Sequence, residues 1–293
     1  MIKYNGKKIN VTRFPDKTSQ VWQLGDFVHP RFGNNRVDWH FEGEHETFPF
    51  LQLVHLTKPD EVYIPYMPYA RQDKEVDNES SFALSTFLNC LSGVTNHYCK
   101  FASIDVHNEK PLNEAFGTTH FKSVYPESLK KVVEGYDLVI FPDKGAKTRY
   151  ADTFGGPMTA YCEKVRDQQT GYITSYNTFG LDRKIDRLKV MVVDDLCDGG
   201  ATFNILAESL LNTNGITCPI TLDLCVTHGL FSKGVDTLLQ NYDQIFTSDS
   251  LFHELDLTLA AKQSTIHKEI KNAINEGKMK ILPCLIEGEF NES

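Results

Sequence analysis

The 293-residue chain has no apolar run approaching the ~18 residues of a bilayer-spanning helix, and its start, MIKYNGKKIN, lacks a signal-peptide core. A cytoplasmic protein without membrane partners is therefore expected. Its seven cysteines form no CxxC pair, so free, mostly buried thiols are expected rather than a disulfide framework or a zinc site. Positive charge is scarce: 30 Lys and Arg against 39 Asp and Glu leave a net charge of −9, which argues against a nucleic-acid partner. A few clustered cations can still make a local site for an anionic small molecule. The nucleotide-binding patterns GxxxxGK[ST] and GxGxxG are both missing. So are internal repeats and low-complexity tracts.

What is present is an ordinary globular composition, 41% hydrophobic and 24% charged. Short apolar runs alternate with helical stretches, which predicts parallel α/β architecture. The strand candidates are EVYIPYM, CKFASIDVH, YDLVIFPD, KVMVVDD, PITLDLCVTH and YDQIFTS. Leu84, Phe87, Leu88 and Leu91 share one face of a helix stopping at Gly93; Phe203, Leu206, Ala207 and Leu210 do the same for one ending near Asn214 and Gly215. Hydrophobic periodicity lapses around residues 116 to 128, which places a boundary between domains 1–120 and 121–293. Beyond Leu251, AAKQSTIHKEIKNAINEG reads as a polar helix and MKILPCLI as a strand.

Five of the candidate strands end in unusual polar sets: Arg71, Gln72, Asp73 and Lys74; Asp105 and His107; Asp143, Lys144, Lys147 and Arg149; Asp194, Asp195 and Asp198; Thr227 and His228. In parallel sheets ligands collect at the carboxyl ends of strands. Taken singly, such residues are more often helix caps or solvated faces. Together they join acids able to hold a divalent metal with bases able to grip phosphate. In VVDDLCDGGAT, backbone amides at a helix start can cradle a phosphate while Asp194 and Asp195 accept hydrogen bonds from sugar hydroxyls. That combination suggests a ribose 5-phosphate unit.

VVDDLCDGGAT resembles the ribose-phosphate loop of the type I phosphoribosyltransferase fold. IPYMPYARQDK, IDVH, FPDKGAKTR, VTHGLFSKG and IFTSDS are similar, in order, to segments of the phosphoribosyl pyrophosphate (PRPP) synthetase family; VTHGLFSKG resembles its Thr-His-x-x-Phe/Leu-Ser-Gly. The likeness covers roughly residues 11 to 250. It implies an α/β fold of two tandem phosphoribosyltransferase-like domains, each a mainly parallel sheet flanked by helices. It also implies magnesium-dependent transfer of the β,γ-pyrophosphate of ATP to the anomeric hydroxyl of ribose 5-phosphate. Magnesium would be placed by His107 and Asp143. ATP would meet Arg71, Gln72, Asp73, His107 and Arg149, with Phe14 reaching the adenine of a neighbouring subunit, hence at least a homodimer. Asp194 and Asp195 would hold ribose hydroxyls, and Asp198, Gly199, Gly200, Ala201 and Thr202 the 5-phosphate. Lys164 and Arg166, in EKVRDQQTG, match the catalytic Lys-x-Arg of the family's mobile loop.

The chain also departs from the family pattern. The first strand-helix unit is short, Thr18 replaces an acid or amide, EVDNESS replaces a basic-proline stretch, and Ala146 replaces a glycine. The hydroxyl residue following Asp198 in the family is Gly199 here. One phosphate donor is lost and space opens, so ADP-ribose becomes an alternative acceptor, giving ADP-ribose pyrophosphate for NAD synthesis. The competing reading of Gly199 is loop drift, with backbone amides supplying the donors. Other classes are a phosphoribosyltransferase, disfavoured by the Arg71, His107 and Asp143 segments, and a non-catalytic regulator, disfavoured by Lys164 and Arg166.

Overall fold

The computed structural model describes residues 1–22, 35–75, 79–166, 173–180, 185–212, 216–217, 221–252 and 265–284. Two compact units divide between Val124 and Tyr125. The lapse in periodicity around residues 116 to 128 contains a short strand, Phe121–Val124, which pairs in parallel with Lys100–Ile104 and so closes the first unit. Among the described residues no helix is long and apolar enough to cross a membrane.

The first unit contains β1 (Ile2–Tyr4), β2 (Lys7–Lys8), β3 (Asn10–Arg13), β4 (Ser19–Trp22), β5 (Arg36–Trp39), α1 (Thr47–Thr57), β6 (Glu61–Ile64), α2 (Ala83–Val94), β7 (Lys100–Ile104), α3 (Lys110–Phe116) and β8 (Phe121–Val124). Its six-stranded sheet runs β2-β1-β5-β6-β7-β8, with β5 to β8 parallel and β1 antiparallel to both neighbours. The predicted face of α2, Leu84, Phe87, Leu88 and Leu91, is buried in a core with Trp39, Phe50 and Leu53. The Trp39 and Phe50 rings stack at 4.2 Å. Each fully buried side chain of this kind contributes about 1.5–3 kcal/mol. β3 and β4 form a separate antiparallel hairpin whose turn carries Phe14.

The second unit contains α4 (Glu127–Val133), β9 (Leu138–Phe141), α5 (Lys144–Arg149), β10 (Met158–Arg166), β11 (Ile173–Phe179), β12 (Ile185–Asp186), β13 (Lys189–Cys197), α6 (Ala201–Asn212), β14 (Ile216–Thr217), β15 (Thr221–Gly229), β16 (Ile245–Ser248), α7 (Thr265–Asn275) and β17 (Met279–Leu282). The seven-stranded sheet runs β11-β10-β9-β13-β15-β16-β17; every pairing is parallel except β10 with β11. β13 is apolar from Val190 to Val193 because both its faces are covered there. Val190 and Val192 pack with Phe203, Leu206 and Leu210 of α6, whereas Met191 and Val193 pack with Leu129, Val133 and Phe141.

One difference from the sequence reading is substantial. Lys164 and Arg166 were expected in a loop, but both lie on β10, the strand between β9 and the edge strand β11. Ala160 and Cys162 bury one face of that strand against Tyr176 of β11, which fixes its extended form. Residues 167–171 of that expected loop lie outside the described residues, as do residues 76–78 of EVDNESS, the expected helix end at Asn214 and Gly215, and residues 260–264 of the polar helix. The described cysteines are all free thiols; Cys90 is exposed and the other five are buried.

Candidate functional site

In the second unit the chemistry gathers at the carboxyl ends of β9, β13 and β15. Asp194 and Asp195 close β13, and alternation along the strand turns their side chains to opposite faces. Asp195, on the Met191 and Val193 face, is buried and forms an ion pair with Arg149 of α5, Nη1 to Oδ1 at 3.1 Å. The Arg149 guanidinium also lies 5.5 Å from the Tyr150 ring centroid. Arg149, expected on phosphate, is thus held by a carboxylate. Asp194 takes the α6 face, and its Oδ1 accepts a hydrogen bond from the Asp195 backbone N–H at 2.9 Å. Burial first, then the Asp195 charge, pushes the Asp194 carboxyl well above the usual carboxylate range, only partly offset by Arg149. Hydroxyl donors from a sugar would relieve this by solvating the anion.

The expected phosphate loop, Asp198 to Thr202, runs into the first turn of α6, where backbone N–H groups lack helical partners. Gly200 has φ +78°, and a Cβ there would meet Leu238 at 3.0 Å, so both backbone and packing require glycine. Gly199 is not beside open space. A Cβ on it would lie 3.1 Å from Lys233 Cδ and 3.3 Å from Cγ and Cε, so the lysine stem fills the position. The segment carrying Lys233 is stitched to the loop through its backbone: Leu230 and Phe231 donate to the Cys197 carbonyl, and Ser232 donates to that of Asp198.

Asp143 follows β9 and caps α5, its Oδ1 accepting from the Ala146 N–H at 2.8 Å. Its Oδ2 lies 3.7 Å from Lys164 Nζ. Lys164 stands opposite Tyr176 in the β10–β11 register, and the register shifts between Val165 and Arg166. Tyr176 is buried, and its backbone N–H donates to Ser209 Oγ of α6 at 3.1 Å. Burial, followed by the nearby Cys162 and Asp143, pushes that phenol up to about 12. Thr227 and His228 are buried in a serine network: His228 Nδ1 meets Ser250 Oγ at 2.7 Å, and Ser248 Oγ donates to the Thr227 carbonyl at 2.6 Å.

In the first unit, Arg71 Nη1 lies 3.2 Å from His107 Nδ1. A guanidinium can only donate, so Nδ1 accepts and the neutral ring carries its proton on Nε2. Asp73 Oδ2 accepts from Asn108 Nδ2 at 2.7 Å, and the Gln72 N–H donates to the Tyr69 carbonyl. Tyr69 and Asp105 flank these groups with left-handed φ of +64° and +37°. Such strain in non-glycine residues clusters at functional sites. Phe14 is 41% exposed and lines an open groove of about 440 Å³ with Thr18, Gln20, Gln52, His55 and Leu56. Thr18 Oγ1 donates to Asp16 Oδ1 at 2.7 Å, so its hydroxyl is committed to the turn.

The signal missed by sequence reasoning is mostly spatial. Lys233 and Leu238 meet the loop only through folding; Lys233 alone left a trace, occupying the place of the family glycine in VTHGLFSKG.

No family model matches the chain. It is 26% identical over 206 residues to a ribose-phosphate pyrophosphokinase of Thermosipho africanus, covering 66% of this chain and 60% of the relative. Identity to that of Pyrococcus abyssi is 27% over 59% of this chain and 58% of the relative, and to that of Sulfolobus acidocaldarius 28% over 70% and 71%. The chain thus matches about three fifths of the length of the first two. The crystal structure of phosphoribosylpyrophosphate synthetase from Mycobacterium smegmatis shares the fold, with a TM-score of 0.62 at 16% identity over 94% of this chain and 86% of the other. The chain is thus similar in sequence to ribose-phosphate pyrophosphokinases and shares the fold of a phosphoribosylpyrophosphate synthetase, with mostly parallel sheets flanked by helices.

Proposed function

We propose that the protein transfers the β,γ-pyrophosphate of ATP to the anomeric hydroxyl of a 5-phosphorylated ribose, releasing AMP, with ribose 5-phosphate as acceptor and PRPP as product. The observation that carries this reading is the Asp194–Asp195 end of β13, Asp194 half-buried and Asp195 buried, beside the phosphate-type loop of α6, with Lys164 paired to Asp143. Asp194 accepts hydrogen bonds from the ribose hydroxyls, and the ion pair with Arg149 orients Asp195. Backbone amides at the start of α6 bind the 5-phosphate. In the first unit, Arg71, Gln72, Asp73 and His107 contact ATP, and Phe14 contacts adenine across a homodimer.

The anomeric oxygen forms a bond to the β-phosphorus as the bond to the α-phosphate oxygen breaks, AMP leaving with that oxygen and the hydroxyl proton passing to solvent or base. Negative charge grows on the transferring group, where Lys164 and Arg166 supply cations. Magnesium, when bound, screens the phosphate charge; it takes oxygen ligands and mostly substrate phosphates, so one carboxylate from the chain suffices. Among the described residues no set of three or more His, Cys, Asp or Glu is gathered for a metal, which fits an ion carried on the nucleotide. Asp143 would be its protein ligand in the second unit in this reading.

The second reading, ADP-ribose as acceptor, is favoured by Gly199: the loop has no side-chain hydroxyl there, and the neighbouring lysine stem is flexible enough to move aside. A diphosphate continuing from the 5-position needs that room. Incubation with ATP, magnesium and either sugar phosphate, with AMP release measured, tests both. AMP formed with neither acceptor refutes the transfer chemistry.

A further inference from the structure

Resting on that reading, we infer that Lys233 is the side chain that binds the acceptor's 5-phosphate, in place of the hydroxyl absent at Gly199. Two changes meet at one point. The loop position that carries a hydroxyl in the family pattern is glycine, and the glycine of the Thr-His-x-x-Phe/Leu-Ser-Gly segment is Lys233. In space they are neighbours: Cγ, Cδ and Cε of Lys233 all lie within 3.3 Å of where a Gly199 Cβ would stand. A threonine at 199 would push the stem from the place it now fills, so the two residues form a matched pair.

The ammonium, one bond beyond Cε, is delivered to the rim of the loop. Its position is not that of a random surface lysine. Backbone bonds from Leu230, Phe231 and Ser232 to the carbonyls of Cys197 and Asp198 tether its segment to the loop itself. Phe231 is buried with a left-handed φ of +44°, which sets the sharp turn just before it. Among the described residues the Lys233 ammonium has no carboxylate or hydrogen-bond partner, so it is available to an incoming anion. A cation grips phosphate more strongly than a neutral hydroxyl, and a long stem can follow either a terminal monoester or the first phosphate of a diphosphate.

Calorimetric binding of ribose 5-phosphate and of ADP-ribose to the full-length protein, with ATP as control ligand, tests this. Lys233→Met keeps the stem and removes the charge; it should weaken acceptor binding by about 10-fold to 100-fold, the range for a charge-assisted hydrogen bond, while ATP affinity stays within about 2-fold. Weakening confined to one acceptor identifies which phosphate Lys233 serves. Gly199→Thr alone should also weaken binding, and pairing it with Lys233→Gly should recover much of the loss, a coupling expected only of a matched pair. Unchanged acceptor affinity in Lys233→Met, or an equal loss for ATP, overturns the inference. Tight acceptor binding that depends on Lys233 but yields no AMP would instead overturn the transfer reaction and leave the lysine's role standing.

Discussion

Asp194 sits where desolvation and the Asp195 carboxylate both oppose its ionisation. Its folded pKa is raised above the unfolded value, so the native state binds the extra proton and loses stability as pH rises between the two values. Asp194→Asn removes that penalty while its side-chain oxygen can still accept from the Asp195 N–H. The ligand-free variant should gain on the order of 1 kcal/mol at neutral pH and nothing well below about pH 4, while acceptor binding falls. Thermal unfolding followed across pH checks the sign. Lys164 makes the opposite case, since its exposed pairing with Asp143 contributes little to stability. Lys164→Ala should leave Tm nearly unchanged and lower the single-turnover rate of AMP release by about 100-fold to 1,000-fold. The acids and Lys164 were legible as residues because carboxylates and cations at strand ends are costly without a task. Lys233 was not, because its role comes from a contact with a loop more than thirty positions earlier in the chain.

At the scale of elements, the β10–β11 hairpin connects the candidate catalytic cation to the phosphate loop. Tyr176 faces Lys164 across the hairpin and is tied to α6 through Ser209. Ser209→Ala would leave the buried Tyr176 N–H without its acceptor and should cost about 1–3 kcal/mol in urea unfolding. Because the register opposite Lys164 loosens, kcat should fall more than acceptor affinity. The helices α2 and α6 were readable from their apolar periodicity, since burial on one face writes a period near 3.6 into the sequence. The hairpin was not readable in that way. Met158 and Phe179 are exposed at its ends, its buried residues are few, and its pairing is satisfied across the strands.

At the scale of the molecule, two units with separate cores carry different candidate residues: Arg71 and His107 in the first, Asp143 to Thr202 in the second. Ribose 5-phosphate at about 100 times its Kd should stabilise the second unit by about 2.7 kcal/mol. Hydrogen exchange would then show added protection along β13 and α6 and little along β5 to β7. Equal protection in both units would count against a site confined to the second for this ligand. The sequence by itself determined the α/β class, the amphipathic helices and the acids closing the strands, because each leaves a local pattern of burial or charge. Only the tertiary structure decided that Arg149 is committed to Asp195, that Lys164 stands on a strand beside Asp143, and that Lys233 fills the space at Gly199. Those are distances between groups far apart along the chain, set by sheet order and turn geometry.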